Sequence, residues 1–253
     1  MRTYRVFTII AVVLLMTTGA CSRYYLPSSA NMQQYRMTPS ATDTVAIDNN
    51  YQRIIQPYKI TLDSSMNQVI GHCKVHLTKR QPESSLGNWM ADELLLATPQ
   101  IAGKRVDMAI QNYGGIRIPD LAAGPITRGR MYELMPFDNT LVVMELKGEL
   151  VQQLMNQIAK EGGWPISQGS RFTIRDGQAI AVIINEVPLD AQATYSIAMP
   201  DYIANGGSDC SFLQGLPYQN TGVFIRDILI AGVSRLQADN RSIEMPSMGR
   251  CMQ

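Results

Sequence analysis

The chain has 253 residues and a formal net charge of +1, which suggests one or two domains with a core large enough to be stable without disulfide bonds. Because acidic and basic side chains nearly balance and no basic stripe stands out, charge gives no indication of a nucleic-acid-binding surface. Apolar residues make up 45% of the chain, the ordinary share for a globular protein.

The first 21 residues have the organisation of an export signal. Arg2 and Arg5 precede an apolar stretch, residues 6–16, that is too short to span a bilayer comfortably, and small residues then lead to Cys21. The TGAC ending resembles a bacterial lipobox. We therefore expect Cys21 to be lipidated and the protein to be exported and anchored to a bacterial membrane, on its periplasmic or cell-surface side. An ordinary cleaved signal peptide is the alternative.

Residues 22–46 mix Ser, Thr, Pro and Gln without a sustained apolar period, which predicts a flexible tether. From residue 47 the pattern becomes regular, so we predict one folded domain over 47–253. Its cysteines are Cys73, Cys210 and Cys251. An exported protein can form disulfides, but three thiols permit at most one pair, and the sequence leaves the pairing open.

Helical and strand-like patterns interleave along this domain. The segments with helical spacing are 50–66, 84–100, 148–163 and 222–237. The strand-like segments are 68–79, 106–110, 140–147, 171–175, 178–184 and 193–199. This alternation predicts an α/β domain.

Local signals sharpen several of these predictions. In the second helix Ser84 can cap the start, and Pro99 is expected to follow the end. The segment 140–147 is continuously apolar through its middle, so it should be buried on both faces. Asp176-Gly177, between two apolar runs, predicts a β-hairpin and therefore a mixed rather than purely parallel sheet.

Two strand-like segments are each followed by a double-glycine loop, NYGGIR (112–117) and DYIANGGSD (201–209). Glycine lets the backbone turn sharply and approach a ligand closely, and exposed amides there can meet an anion. Arg117 adds a bidentate donor suited to phosphate or carboxylate. Phe137 and Tyr202 could form a slot for a flat ligand, and stacking a nucleobase on one ring contributes about 1–3 kcal/mol. Singly, each feature is also explained by an ordinary turn, ion pair or packing contact.

Five segments, taken together and in this order, resemble the C-terminal domain of the 5′-nucleotidase family. They are ESSLGNWMADE (83–93), NYGGIR (112–117), GPITRGRMYELMPFDN (124–139), LKGEL (146–150) and DYIANGG (201–207). The family includes the bacterial periplasmic UDP-sugar hydrolases and ecto-5′-nucleotidase. The resemblance covers about residues 50–253, and it implies mixed sheets in a four-layer αββα arrangement.

The resemblance also implies roles for matching residues. Arg117 looks like the arginine that reaches the substrate phosphate, and Arg80 lies where many members keep another phosphate-contacting arginine. Asn112 looks like the asparagine near the base, and Phe137 and Tyr202 look like the rings that sandwich it. The other substrate-binding positions implied are Gly114, Gly115, Asn205, Gly206, Gly207, Ser208 and Asp209.

One departure concerns the sugar contact. The family usually continues NGG as NGGDG, with the aspartate on the ribose hydroxyls, whereas this chain reads NGGSD. Ser208 holds the aspartate's position and Asp209 is one residue late. A hydroxyl is a weaker ribose partner than a carboxylate. Either a small loop shift lets Asp209 substitute, or selectivity for the sugar is relaxed.

In the family, hydrolysis takes place on a separate N-terminal metallophosphatase domain that holds two metal ions. This chain has two histidines, His72 and His76, and a strand would place them about 13 Å apart, too far for joint ligation. We therefore expect no catalytic residues and no metal on this chain, with divalent metals held by a partner metallophosphatase.

Three functions follow from these observations. The first is nucleotide recognition within a split 5′-nucleotidase, in partnership with a separately encoded metallophosphatase that would supply hydrolysis in extracytoplasmic nucleotide catabolism. The second is a lipoprotein that binds nucleotides or nucleosides without hydrolysing them. The third is an interaction protein that keeps a relic site.

Overall fold

The structure, a computed structural model, describes residues 49–253, with side chains from residue 53 onward. The segments for which an export signal, lipidation at Cys21 and a tether are predicted lie outside the described residues. The helices are α1 (Asn49–Met66), α2 (Ser85–Ala102), α3 (Arg128–Leu134), α4 (Gly148–Lys160), α5 (Asp201–Ala204) and α6 (Ile225–Ala238). None of these helices is both long and apolar enough to cross a membrane.

The strands pair into two larger and two smaller sheets. They are β1 (Val69–Cys73), β2 (Leu77–Thr78), β3 (Met108–Ala109), β4 (Asp120–Leu121), β5 (Gly124–Thr127), β6 (Thr140–Lys147), β7 (Arg171–Arg175), β8 (Gln178–Ile184), β9 (Val187–Pro188), β10 (Thr194–Pro200), β11 (Tyr218–Phe224) and β12 (Cys251–Met252). Sheet I has the order β11–β6–β10–β3 and sheet II the order β12–β7–β8–β9, while β1 pairs with β5 and β2 with β4. Each larger sheet contains both parallel and antiparallel neighbours. The predicted mixed α/β class is confirmed.

Strand β6 lies at the centre of the fold and is buried on both faces, as its continuous apolar run predicts. Leu141 and Val143 enter a core shared with α2 and α6. Val142 and Met144, which point the other way, enter a second core with α4 and sheet II. Burying apolar area contributes roughly 25 cal/mol per Å², so both cores hold sheet I firmly.

Sheet I decides where the two glycine loops lie. Strands β3 and β10 are parallel neighbours, with Met108 opposite Ile197 and Ala109 opposite Ala198. The carboxyl ends of parallel neighbours point to the same edge of a sheet. Because segment 112–117 follows β3 and segment 201–209 follows β10, both loops begin at that edge.

Helix α2 starts as predicted but ends later. The Ser84 hydroxyl accepts a hydrogen bond from the Gly87 amide at 2.8 Å. The helix then passes through Pro99 and ends at Gly103, which has a left-handed φ of 71°. The prediction that the helix would end before Pro99 was wrong, because a helix can lose one hydrogen bond at proline while the left-handed residue makes the actual stop.

The prediction of one strand over 68–79 was also wrong. The chain leaves β1 after Cys73 and enters β2 at Leu77, and these strands belong to different sheets. His72 and His76 therefore have separate surroundings. The His72 ring pairs with Gln237 at 3.1 Å, and the His76 ring pairs with Asp120 at 3.0 Å.

Local chemistry predicted the β7–β8 hairpin correctly. Asp176 and Gly177 both have positive φ, 49° and 71°, as a tight two-residue turn requires. The three cysteines of the described residues, Cys73, Cys210 and Cys251, are buried and unpaired. Burial raises the pKa of the Cys210 and Cys251 thiols to about 12, so both stay neutral at ordinary pH.

Candidate functional site

The loop after β3 folds into a 3₁₀ turn over Tyr113–Gly115. The Gly115 amide donates to the Asn112 carbonyl at 3.1 Å, and the Ile116 amide donates to the Tyr113 carbonyl at 3.3 Å. Asn112 is buried, and its side-chain oxygen accepts a hydrogen bond from Gln111 at 3.1 Å. The turn thus fixes Asn112 at the inner end of the loop.

The two glycines of this loop differ in how closely other side chains pack against them. A Cβ on Gly115 would overlap the Gln111 amide and lie 2.7 Å from the Asn112 side-chain oxygen, whereas a Cβ on Gly114 would lie 3.9 Å from its nearest neighbour. Neither glycine has a left-handed φ. The sequence suggested that glycine is present here so that the backbone can turn sharply, and the structure corrects this. Glycine is needed at position 115 because the Gln111 and Asn112 side chains pack closely against its Cα.

Arg117 lies at the exposed end of the same loop. Its amide donates to the Leu134 carbonyl at 3.0 Å, which fixes its backbone. Its guanidinium donates to the Gly114 carbonyl at 3.2 Å and lies 5.5 Å from the centroid of the Phe137 ring. The guanidinium is exposed, so an anionic ligand can reach it, and its planar fork suits phosphate.

Arg226 fixes the backbone that carries Phe137. The Phe137 ring is exposed, while Arg226 is 7% exposed. Arg226 donates to the carbonyls of Met135 and Phe137, both at 3.4 Å, and to the Asp138 carboxylate at 2.8 Å. Its guanidinium also lies 4.2 Å from the centroid of the Tyr132 ring. The backbone that presents the Phe137 ring is thus anchored to α6.

The loop after β10 is closed on itself by Tyr202. The Gly207 amide donates to the Tyr202 carbonyl at 2.8 Å, and the Ser208 amide donates to the Tyr202 hydroxyl at 3.2 Å. A Cβ on Gly207 would overlap the Tyr202 ring. One face of the ring therefore lies on Gly207, and the ring as a whole remains exposed.

The structure shows the backbone conformation of Ser208 and Asp209, where the NGGSD segment departs from the family pattern. Ser208 and Asp209 both have left-handed φ, 53° and 57°, a conformation that ordinary residues adopt only when their surroundings hold them. The Ser208 carbonyl accepts a hydrogen bond from Gln157 at 3.2 Å, and this bond helps to stabilise the left-handed conformation. Ser208 lines a cavity, whereas Asp209 is exposed and lines neither that cavity nor the open depression beside it.

A cavity of about 380 Å³ gathers residues from both loops and from the Phe137 segment, within the range of small-molecule sites. Its lining residues are Asn112, Gly114, Gly115, Arg117, Phe137, Asn139, Tyr202 and Ser208. An open depression of about 440 Å³ shares Asn139 and Tyr202 with it and adds Asp201, Asn205, Gly206 and Gly207. The structure thus brings together the predicted residues except Arg80 and Asp209.

A larger groove of about 550 Å³ lies elsewhere, between α2 and α6. Apolar side chains such as Leu96 and Ile101 line it, and Glu93 pairs there with Arg235 at 2.9 Å. Burial, the strongest influence, raises the pKa of Glu93, and the positive charge of Arg235 opposes that effect. Of these two, the smaller cavity is the better candidate site because it joins an exposed arginine to two aromatic rings, whereas no aromatic residue lines the groove.

Sequence reasoning missed three residues that build this site. Asn139 lines the cavity directly and could have been found, because it ends the PFDN segment that carries Phe137. Lys79 bonds the Ile116 carbonyl at 2.8 Å, and Arg226 holds the Phe137 backbone. No local signal marks these two, because each acts on a distant part of the chain.

The arrangement suits a ligand with a flat ring at one end and an anion at the other. Two exposed rings and one exposed guanidinium can supply those contacts, and Asn112, Asn139 and Ser208 add polar groups to the lining of the same cavity. Within residues 53–253 no three His, Cys, Asp or Glu side chains are grouped so as to hold a metal ion.

Comparisons of the sequence and of the structure with known proteins point to the same family. The statistical model of the 5′-nucleotidase C-terminal domain matches residues 69–215. Protein UshA of Yersinia enterocolitica is 29% identical over 197 residues, which cover 74% of this chain and 35% of that protein. The trifunctional nucleotide phosphoesterase YfkN of Bacillus subtilis is 29% identical over 177 residues, 62% of this chain and 12% of that protein.

A solved structure of a 5′-nucleotidase precursor from Thermus thermophilus superimposes with a TM-score of 0.67 at 30% identity. The superposition covers 81% of this chain and 43% of that structure. The chain thus spans less than half the length of each of these three relatives.

Proposed function

The chain belongs to the 5′-nucleotidase C-terminal domain family, and from that premise we propose that it recognises nucleotides for a 5′-nucleotidase-type hydrolase whose metallophosphatase is separately encoded. The observation that carries the proposal is the single cavity lined by Arg117, Phe137 and Tyr202. A phosphate would meet the Arg117 guanidinium, and a base would lie between the two rings.

The expected affinity is modest. Stacking contributes about 1–3 kcal/mol per ring, and each of one or two hydrogen bonds from Arg117 to a phosphate would contribute about 1.5–3 kcal/mol. Association itself costs an estimated 4–15 kcal/mol. The domain alone should therefore bind a nucleotide with a Kd no tighter than about micromolar, and a catalytic partner would complete the cleft.

Hydrolysis would come from the partner. Metal ions on a metallophosphatase activate water and neutralise the charge that develops on phosphate, while the present chain would hold the base and orient the phosphate. Lipidation of Cys21 and a tether over 22–46 would keep this pair at the membrane, where it would act on extracytoplasmic nucleotides. The names of two relatives, a 5′-nucleotidase precursor and a nucleotide phosphoesterase, support nucleotide chemistry.

Phosphate release from AMP tests the proposal. The full chain, a separately encoded metallophosphatase from the same organism, and their mixture are assayed with added divalent metal. We expect the mixture to exceed the sum of the separate rates, and Arg117→Met to remove that excess. Release by the full chain alone would refute the split arrangement, and a mixture without activity would refute the hydrolytic role.

A second candidate is a lipoprotein that only binds nucleotides or nucleosides. The neutral Ser208 in place of a carboxylate favours it, because the sugar contact of a dedicated nucleotidase is weakened there. Calorimetry separates the two functions. Adenosine binding as tight as AMP binding would mean that Arg117 does not contact phosphate, and would favour the binding protein.

A further inference from the structure

We propose that Lys79 is a positioning residue that fixes the 112–117 turn and thereby orients Arg117 toward the anionic end of a ligand; this rests on the proposed function for its ligand class. The family resemblance points to the neighbouring Arg80 instead. The two side chains differ sharply in their contacts, and that difference carries the proposal.

The backbone of Lys79 is firmly placed. It follows β2, whose residues Leu77 and Thr78 pair with Leu121 and Asp120 of β4. The Lys79 amide then donates to the Pro119 carbonyl at 2.8 Å. Because Pro119 lies just beyond the 112–117 turn, Lys79 starts from a fixed point beside the turn's exit.

The side chain of Lys79 contacts the turn in two places. Its ammonium group donates to the Ile116 carbonyl at 2.8 Å and lies 4.1 Å from the centroid of the Tyr113 ring. Tyr113 and Ile116 are the two residues that the turn's own hydrogen bond joins. A single ammonium therefore holds both ends of the turn, through a charge-assisted hydrogen bond and a cation–π contact.

Arg117 follows Ile116 directly, so its direction depends on this turn. Its guanidinium bonds back to the Gly114 carbonyl, inside the same turn. Burial and, second, the nearby charge of Arg117 lower the pKa of Lys79. An anion bound at Arg117 would relieve that repulsion, so the two cations together favour an anionic over a neutral ligand.

Arg80 provides a matched control one residue away. It is exposed and forms no hydrogen bond or ion pair with any residue in the described range 53–253. Removing either charge changes the net charge of the protein equally. Only the Lys79 change removes the contacts to Tyr113 and Ile116.

The first measurement is hydrogen exchange of the 113–117 amides in the full chain without ligand. We expect Lys79→Met to speed exchange there about tenfold, Lys79→Arg to restore slow exchange, and Arg80→Met to leave it unchanged. Unchanged exchange in Lys79→Met would overturn the proposal, whatever the protein binds.

The second measurement is calorimetry with AMP and adenosine as probes. We expect Lys79→Met to weaken AMP binding about tenfold and adenosine binding at most about threefold, with an unchanged Tm and with rescue by Lys79→Arg. Equal losses of both ligands, or a failure of Lys79→Arg to restore AMP binding, would overturn the role in orienting Arg117. A wild-type chain that binds neither probe would refute the proposed function instead, and the exchange data would still decide whether Lys79 holds the turn.

Discussion

The two glycine loops emerge from the same edge of sheet I, yet they are held in different ways. The 112–117 loop forms its own turn hydrogen bonds and is also held from outside, by the Leu134 carbonyl and the Lys79 ammonium. The 201–209 loop is held largely from inside, by hydrogen bonds from Gly207 and Ser208 to Tyr202. Two loops with similar glycine motifs are therefore stabilised by different kinds of contact.

This contrast has a functional consequence. A loop held by distant neighbours can position an exposed arginine, because those neighbours lie away from the ligand. In the other loop the anchor is Tyr202 itself, whose ring also lines the cavity. Changes at Arg117 should therefore affect the anionic end of a ligand alone, whereas changes at Tyr202 should affect the whole ligand.

The largest effect should come from Arg117→Met. Losing a charge-assisted hydrogen bond costs about 1.5–3 kcal/mol, so AMP binding should weaken about 10- to 150-fold while adenosine binding stays within about twofold of wild type. Isothermal calorimetry with both ligands measures this. If adenosine binding weakened as much as AMP binding, the claim that Arg117 contacts only the anionic end of the ligand would be contradicted.

Tyr202→Ala should weaken both ligands equally. Losing one stacking face costs about 1–3 kcal/mol, and the loop also loses its anchor to Ser208. AMP and adenosine affinities should fall together, by about 5- to 150-fold, in the same titrations. An effect confined to AMP would mean that the ring does not contact the base.

The sequence predicted local turns and caps, but not the distant contacts that hold the two loops. The Ser84 cap and the 176–177 hairpin follow from neighbouring residues and were predicted correctly. The contact of Lys79 with Ile116 joins residues 37 positions apart, and that of Arg226 with Met135 joins residues 91 apart. Such pairs depend on the folded arrangement of several elements, so periodicity and motifs alone cannot reveal them.

Gly207→Ala and Gly114→Ala form a matched pair that tests the packing of the loops. A methyl on Gly207 must displace the Tyr202 ring, at a cost of about 1–3 kcal/mol in the free energy of unfolding. A methyl on Gly114 meets open space and should be neutral or stabilise by up to about 1 kcal/mol. Urea denaturation measures both changes, and equal destabilisation would contradict the packing argument.

The smallest effect concerns the sugar. With a neutral Ser208 in the cavity, AMP and dAMP should bind within about threefold of each other. Ser208→Asp should raise the preference for AMP about 2- to 10-fold, since one net hydrogen bond contributes about 0.5–1.5 kcal/mol. Asp209→Asn serves as the control and should change neither affinity. A strong AMP preference that disappears in Asp209→Asn would show that Asp209 reaches the ribose.

The affinity of the wild-type full chain for AMP relative to adenosine, measured by calorimetry, tests nucleotide recognition most directly. If Arg117 binds phosphate while Phe137 and Tyr202 hold the base, AMP should bind about tenfold or more tightly than adenosine, with a Kd no tighter than about micromolar. Equal affinities, or no detectable binding of AMP, would contradict nucleotide recognition at this cavity.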